Sequence, residues 1–192
     1  MPMLLLASTS PRRSELLKMA GYEFTAAPSD VSEGYLRGTP PMQIVELLAA
    51  RKAEAVAKQN PQDTVLGADT VVVFKGRVLG KPKDAEEAKA MLRLLSGNVH
   101  QVYTGYCVIS GKELIRGHEC TSVEFYPLSE TEISAYCETE EPMDKAGAYA
   151  IQGRGALFIK RIDGDFYNVM GLPIGKINRI LTGLKNSSKE NS

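Results

Sequence analysis

Residues 64–74 read TVLGADTVVVF. Near-continuous apolar character, rather than strict alternation, predicts a strand covered on both faces and so central in its sheet. Its single charge, Asp69, falls mid-strand, where a carboxylate persists only with hydrogen bonds, a cation or a metal. Gly67, two residues earlier, allows close approach of a ligand or another backbone. Asp69 therefore reads either as a structurally satisfied carboxylate or as a general base or metal ligand.

Outward from this strand, residues 3–7 (MLLLA) predict a buried strand and 11–20 a short helix. Residues 25–41, with Pro28, Gly34, Gly38, Pro40 and Pro41, predict a long loop. Over 42–58, Val45, Leu48, Ala49, Ala53 and Val56 form one helical apolar stripe. Lys52, four residues after Leu48 and four before Val56, faces inward with them, so it either snorkels or serves a cleft. Asp84 with Glu87 and Ser129 with Glu132 read as capping boxes, opening helices to about Leu95 and Cys137. Residues 99–109 and 113–126 read as antiparallel strands joined at Ser110-Gly111.

The stretch 140–155 is polar and glycine-rich and reads as a loop outside the core. Within it Glu140-Glu141 reads as a solvated helix end and Asp144-Lys145 as a local ion pair. Residues 156–162, a DGD turn and 166–169 suggest a hairpin; Pro173 to Leu184 read as the last helix and 185–192 as a disordered tail. Interleaved helices and strands favour an α/β or α+β domain over residues 1–184, with a mixed sheet in two lobes around a cleft.

The 23 basic and 23 acidic residues balance. This argues against a general positive field for nucleic acid, so any basic site is local. Three scattered cysteines and two histidines support neither a disulfide framework nor a His-based metal site. The opening MPMLLLAS has too short an apolar run, and no basic segment before it, for a signal peptide, and no run approaches a membrane span. A cytosolic, membrane-free protein is expected.

LASTSPRRSE (6–15) offers Ser10 as a helix N-cap and Pro11 as the first helical residue. Arg12 and Arg13 then lie in the first turn, where the macrodipole disfavours cations by roughly 0.3–1 kcal/mol each. Free N–H groups at a helix start bind anions, and guanidinium forks onto phosphate oxygens, so a bound phosphate-like group would reverse the penalty. Pairing with Glu15 or solvent is the alternative. GRVLGKPKD (76–84) adds Lys81, but its spacing fails the P-loop pattern. Four cations (Arg12, Arg13, Lys52, Lys81) and two acids (Glu33, Asp69) in odd places suit a triphosphate with Mg²⁺ or Mn²⁺, hard cations that take oxygen ligands.

LASTSPRRSELL (6–17), GADTVV (67–72), GKP (80–82), LSG (95–97), EPMDKAGAYAIQGRG (141–155) and VMGLPI (169–174) together resemble the Maf family of nucleoside triphosphate pyrophosphatases. The resemblance covers roughly residues 3–181. It implies a fold like the inosine triphosphate pyrophosphatases: an elongated mixed β-sheet flanked by helices, with a nucleotide cleft between two lobes. It also implies metal-dependent hydrolysis of a nucleoside triphosphate to monophosphate and pyrophosphate. Asp69 would be the proton acceptor and, with Glu33, a metal partner. Ser8, Arg12, Arg13, Lys52 and Lys81 would bind the triphosphate. Arg12, Thr70 and Gln152 match the branch acting on dTTP and UTP, and the Gln152 amide suits a pyrimidine edge. The resemblance further implies a homodimer and a link to cell-division arrest, while the balanced charge argues against a nucleic-acid partner. Two alternatives stay open: a main substrate such as 7-methyl-GTP, or a non-enzymatic nucleotide-binding regulator of septum formation.

Overall fold

Thr64–Phe74 is a strand along its whole predicted length, and all but two of its residues are buried. A computed structural model describes residues 2–190 of the chain, with side chains described through residue 186. In chain order the elements are β1 (Leu4–Leu6), α1 (Pro11–Met19), β2 (Thr25–Ala26), α2 (Pro41–Ala57), β3 (Thr64–Phe74), β4 (Arg77–Leu79), α3 (Ala85–Leu95), β5 (Val99–Ser110), β6 (Glu113–Phe125), α4 (Glu130–Cys137), β7 (Ile159–Asp163), α5 (Phe166–Met170) and α6 (Ile174–Glu190). Among the described residues the strands join in one seven-stranded sheet of order β2-β1-β3-β5-β6-β7, with β4 on β3. β1 is parallel to β2 and β3, whereas β4 is antiparallel to β3 and β7 to β6. β5 and β6 are neighbours joined by two residues, a link that only antiparallel strands allow. The sheet is thus mixed, as expected.

The chain divides into two compact units interleaved in sequence: Met1–Asp69, Thr104–Glu119 and Gly171–Ser192 in the first, Thr70–Tyr103 and Cys120–Met170 in the second. In the first unit, Ala49, Ala50, Ala53 and Val56 of α2 bury against Leu5, Val65 and Cys107 of the strands and Ala7 just beyond β1. Small residues let this helix lie very close to the sheet. A Cβ on Gly67 would stand 2.3 Å from the Ala49 carbonyl oxygen, and one on Gly105 2.2 Å from that of Val45. In the second unit, α3 and α4 contribute Met91, Leu92, Leu95, Ile133 and Tyr136 to a core shared with Val102, Val123, Phe125 and Phe158.

Several local expectations change. Ser10 occupies the cap position of α1 with Pro11 following, but its side chain makes no cap bond. Asp84 accepts the Glu87 N–H, while the Glu87 carboxylate takes the N–H of Lys83 rather than Asp84, so only half of that box forms. The Ser129–Glu132 box is complete. The predicted hairpin is absent, because Phe166–Met170 is helical: Asp165 Oδ1 accepts the Tyr167 N–H and starts a turn. The turn buries Asn168, whose Nδ2 donates to Val102 O and Thr121 Oγ1. Ala148–Ile151 are buried, contrary to a loop outside the core. The Tyr149 ring can go inside because its hydroxyl meets His100 Nε2 at 2.7 Å. α6 runs past the predicted stop at Leu184 to Glu190, since no glycine or proline interrupts 185–190; residues 191 and 192 lie outside the described residues.

Candidate active site

Within the first unit five of the expected residues meet. Asp69, only 8% exposed, sits on β3 where the strand passes under α2. Lys52, on the inward stripe of α2, donates to Asp69 Oδ1 at 2.6 Å and to Glu33 Oε1 at 2.8 Å. One ammonium therefore holds two carboxylates, one buried and one exposed. The close seat of α2 over Gly67 sets this spacing: Gly67 and Asp69 lie on the same face of the strand, and Ala49, Lys52 and Ala53 on the facing helix turn.

Arg13 is buried rather than displayed. Its Nε donates to Gly171 O at 2.8 Å and its Nη1 to Ser8 Oγ at 3.0 Å. The same Ser8 oxygen accepts the Ser10 N–H. Burial draws the Arg13 pKa below its ordinary value, with the Asp69 and Glu33 carboxylates opposing and Arg12 adding to the fall; the guanidinium stays charged. This charge beside an acidic pair offsets the macrodipole cost of an arginine in the first turn. Arg12 is half-buried in the same turn.

Glu33 lies on the irregular segment between β2 and α2, and that segment is held by a residue the sequence pattern did not single out. Arg51 Nη1 donates to Gly34 O at 2.6 Å and to Ser32 O at 3.3 Å, gripping the backbone on both sides of Glu33. Consecutive helix residues thus act together: Arg51 holds the loop's main chain and Lys52 its carboxylate.

Thr70, Lys81 and Gln152 belong to the second unit. Successive strand residues face opposite sides of a sheet, so Thr70 does not share the face of Asp69. Lys81 and Gln152 are both exposed. Gln152 lies on a segment with extensive internal bonding. Tyr136 Oη accepts the Ala150 N–H at 3.1 Å and donates to Glu141 Oε1 at 2.9 Å. The Glu141 carboxylate also accepts the N–H groups of Arg154 and Gly155, each at 3.1 Å. Burial works to raise the Glu141 pKa, but these amides and the Tyr136 hydroxyl outweigh it and hold the carboxyl below its usual range. Glu141 is therefore not the solvated helix end its sequence context suggests. Asp144 and Lys145 do form their local ion pair.

Among the described residues no group of three or more His, Cys, Asp or Glu side chains is placed to enclose a metal. Mg²⁺ characteristically uses one or two carboxylates and completes its shell with water and substrate phosphates. Asp69 and Glu33, hard oxygen donors already converging on one cation, fit that smaller requirement.

The Maf-like protein family profile matches residues 3–184. A relative from Symbiobacterium thermophilum described as a dTTP/UTP pyrophosphatase is 52% identical over 182 residues, covering 95% of this chain and 94% of its own. Relatives with the same description are 52% identical in a Geobacillus species (93% and 96% covered) and 50% identical in Bacillus cytotoxicus (92% and 93% covered). Among solved structures, the Ham1 protein of Staphylococcus aureus aligns with a TM-score of 0.48 at 17% identity, covering 81% of this chain and 90% of its own.

Proposed function

The chain belongs to the Maf family, and we propose that it hydrolyses dTTP and UTP to the nucleoside monophosphate and pyrophosphate, the activity named for its relatives. The observation that carries the site assignment is the Lys52 ammonium held between Glu33 and Asp69. A carboxylate beside a cationic cluster repels a triphosphate unless it moves a proton or holds a metal.

Asp69 is the general base in this reading. Its Oδ1 is tied to Lys52, which leaves Oδ2 to take the proton of a water attacking the α-phosphorus. A bond forms between that water oxygen and the α-phosphorus, the bond to the α–β bridging oxygen breaks, and pyrophosphate leaves. Lys52 fixes the carboxylate and meets phosphate charge, and Arg12 adds a guanidinium at the start of α1. Arg13, committed to Ser8 and Gly171, shapes the 8–13 turn and contributes its charge from beneath. Lys81 adds phosphate binding, Gln152 selects the pyrimidine, and Thr70, which faces away from Asp69 on β3, belongs to the substrate-binding set through its match to the dTTP/UTP branch. Glu33 and Asp69 would hold the divalent cation, Mg²⁺ or Mn²⁺, which when bound supplies charge neutralisation across the triphosphate. Such chemistry is mainly positioning and charge stabilisation, which rigid elements like β3 and α2 supply.

Residues 1–184 act as one functional domain in this reading, since the two compact units are interleaved and the family match spans them. No helix among the described residues is long and apolar enough to cross a membrane. A cytosolic place suits the three free thiols, and a homodimer and a link to cell division extend the same reading.

The test is pyrophosphate release from a panel of canonical and modified nucleoside triphosphates with Mg²⁺ or Mn²⁺, in the wild type and Asp69→Asn. Turnover of dTTP and UTP, reduced about 10²–10⁴-fold in the variant, is expected. Turnover confined to 7-methyl-GTP would move the substrate assignment. Absence of turnover by the folded protein would favour the regulatory alternative.

A further inference from the structure

Tyr136 and Glu141 converge on a single short segment from outside it. Tyr136 is the penultimate residue of α4 and only 3% exposed; its ring packs edge-on against Phe158 with centroids 4.9 Å apart. Its hydroxyl accepts a hydrogen bond from the Ala150 N–H and donates one to Glu141 Oε1. Glu141 then receives the N–H groups of Arg154 and Gly155. One phenol–carboxylate pair thus closes a short loop at both ends, with Ile151, Gln152 and Gly153 between the anchored amides. Gly153 completes the closure: a Cβ there would stand 2.5 Å from a Glu141 carboxylate oxygen, so a side chain at 153 forces the Glu141 carboxylate to shift. On the entry side, Tyr149 is fixed through His100.

We propose that Tyr136 and Glu141 are positioning residues that hold the 150–155 segment in its substrate-binding conformation and so set where Gln152 is presented. This rests on the reading of Gln152 as a substrate-selecting residue. The physical case is economy of freedom. An exposed amide on a loose loop loses ordering entropy at each binding event, whereas a loop already closed by several hydrogen bonds does not. Charge-assisted bonds from main-chain amides to a carboxylate are the strong kind, and they do not depend on side chains of the loop itself. Neither residue touches substrate in this account; they act through the backbone of 150, 154 and 155.

The experiment uses Tyr136→Phe, which keeps the ring contact with Phe158 and removes only the hydroxyl, together with Glu141→Ala and the conservative Glu141→Gln. Two quantities are read: hydrogen exchange at the amides of residues 150, 154 and 155, and KM and kcat for dTTP. Gln152→Ala runs alongside. Tyr136→Phe is expected to speed exchange at these amides about tenfold, the effect of losing one or two buried hydrogen bonds, and to raise KM several-fold with kcat much less changed. Glu141→Ala should do the same, and Glu141→Gln should restore part of the loss. Unchanged exchange at the three amides in Tyr136→Phe overturns the proposal. So does faster exchange with an unchanged KM, because the loop is then held to no purpose in binding. Gln152→Ala separates the underlying reading: altered substrate ranking with unaltered exchange supports it. Unaltered ranking refutes the role of Gln152 alone, while the KM of Tyr136→Phe still decides the positioning role.

Discussion

Replacing Gly67 by alanine adds one methyl group to the floor beneath α2. The added carbon would lie 2.3 Å from Ala49 O and 2.8 Å from Ala53 N, whereas ordinary contact begins near 3.4 Å. Both neighbours are main-chain atoms of one helix, so relief requires α2 to move by about 1.1 Å, the difference between 3.4 and 2.3 Å. Overpacking of this kind costs about 1–3 kcal/mol, which for a chain of this size lowers Tm by about 2–12 °C at 2–4 °C per kcal/mol. The functional effect is larger. Lys52 rides on that helix turn and reaches Asp69 at 2.6 Å; a lift of about an ångström breaks the bond, and misplacement on that scale costs on the order of 10²-fold in rate. Thermal melting and pyrophosphate release from dTTP, measured on the same preparation, give both numbers. A Gly67→Ala protein with wild-type Tm and wild-type kcat/KM would show that α2 is not held against β3 through this position, and the argument for the Lys52–Asp69 spacing would go with it.

Two further outcomes are expected. His100 has a folded pKa lowered by burial to about 4, against about 6.5 in an unfolded chain. Between these values the unfolded state binds more protons, so its contribution is complete above about pH 6.5 and is lost as pH falls toward 4, amounting to about 3 kcal/mol; urea midpoints at pH 7, 5 and 4 should fall less steeply in His100→Gln, and parallel curves would discount the residue. Arg51→Ala, by releasing the carbonyls of Ser32 and Gly34, should lower kcat/KM for dTTP about tenfold with little change in Tm, since the segment it grips is exposed; wild-type kinetics would mean that Glu33 needs no such support.

Sequence patterning revealed those residues whose chemistry contradicts their immediate surroundings. Asp69 stands out in an apolar strand, Lys52 on an apolar stripe and Arg13 at the wrong end of a helix, and the structure joins all three with Glu33 and Ser8. Gly67 was open to a ligand or a backbone, and the structure fills the space with α2 backbone. The residues with no such mark in the sequence act on main-chain atoms far along the chain. Arg51 grips carbonyls 17 and 19 residues away, and Tyr136 takes an amide 14 residues away. Backbone groups carry no identity in sequence, so nothing in the local pattern marks their partners. Separation along the chain, here between two side chains, explains why 148–151 read as lying outside the core: the polar end of Tyr149 is satisfied by His100, 49 residues earlier. The helix at 166–170 is not legible in the sequence for a local reason, since Asp165 serves equally in a hairpin turn or as a helix cap.

Arg51 has a bearing on how sequences of this kind can drift. Its clamp recognises two carbonyl oxygens, which every amino acid supplies, so substitution at 32 or 34 leaves both acceptors in place. Ser32 adds only a local turn through its hydroxyl to the Gly34 N–H. Change is thus tolerated on either side of Glu33 while the position of Glu33 itself is retained. The donor enjoys no such latitude. A shorter or uncharged residue at 51 abandons both oxygens at once, and no single exchange within the loop can replace it. Variation among relatives should therefore be lopsided, free along the gripped strand of chain and confined at the hand that grips it.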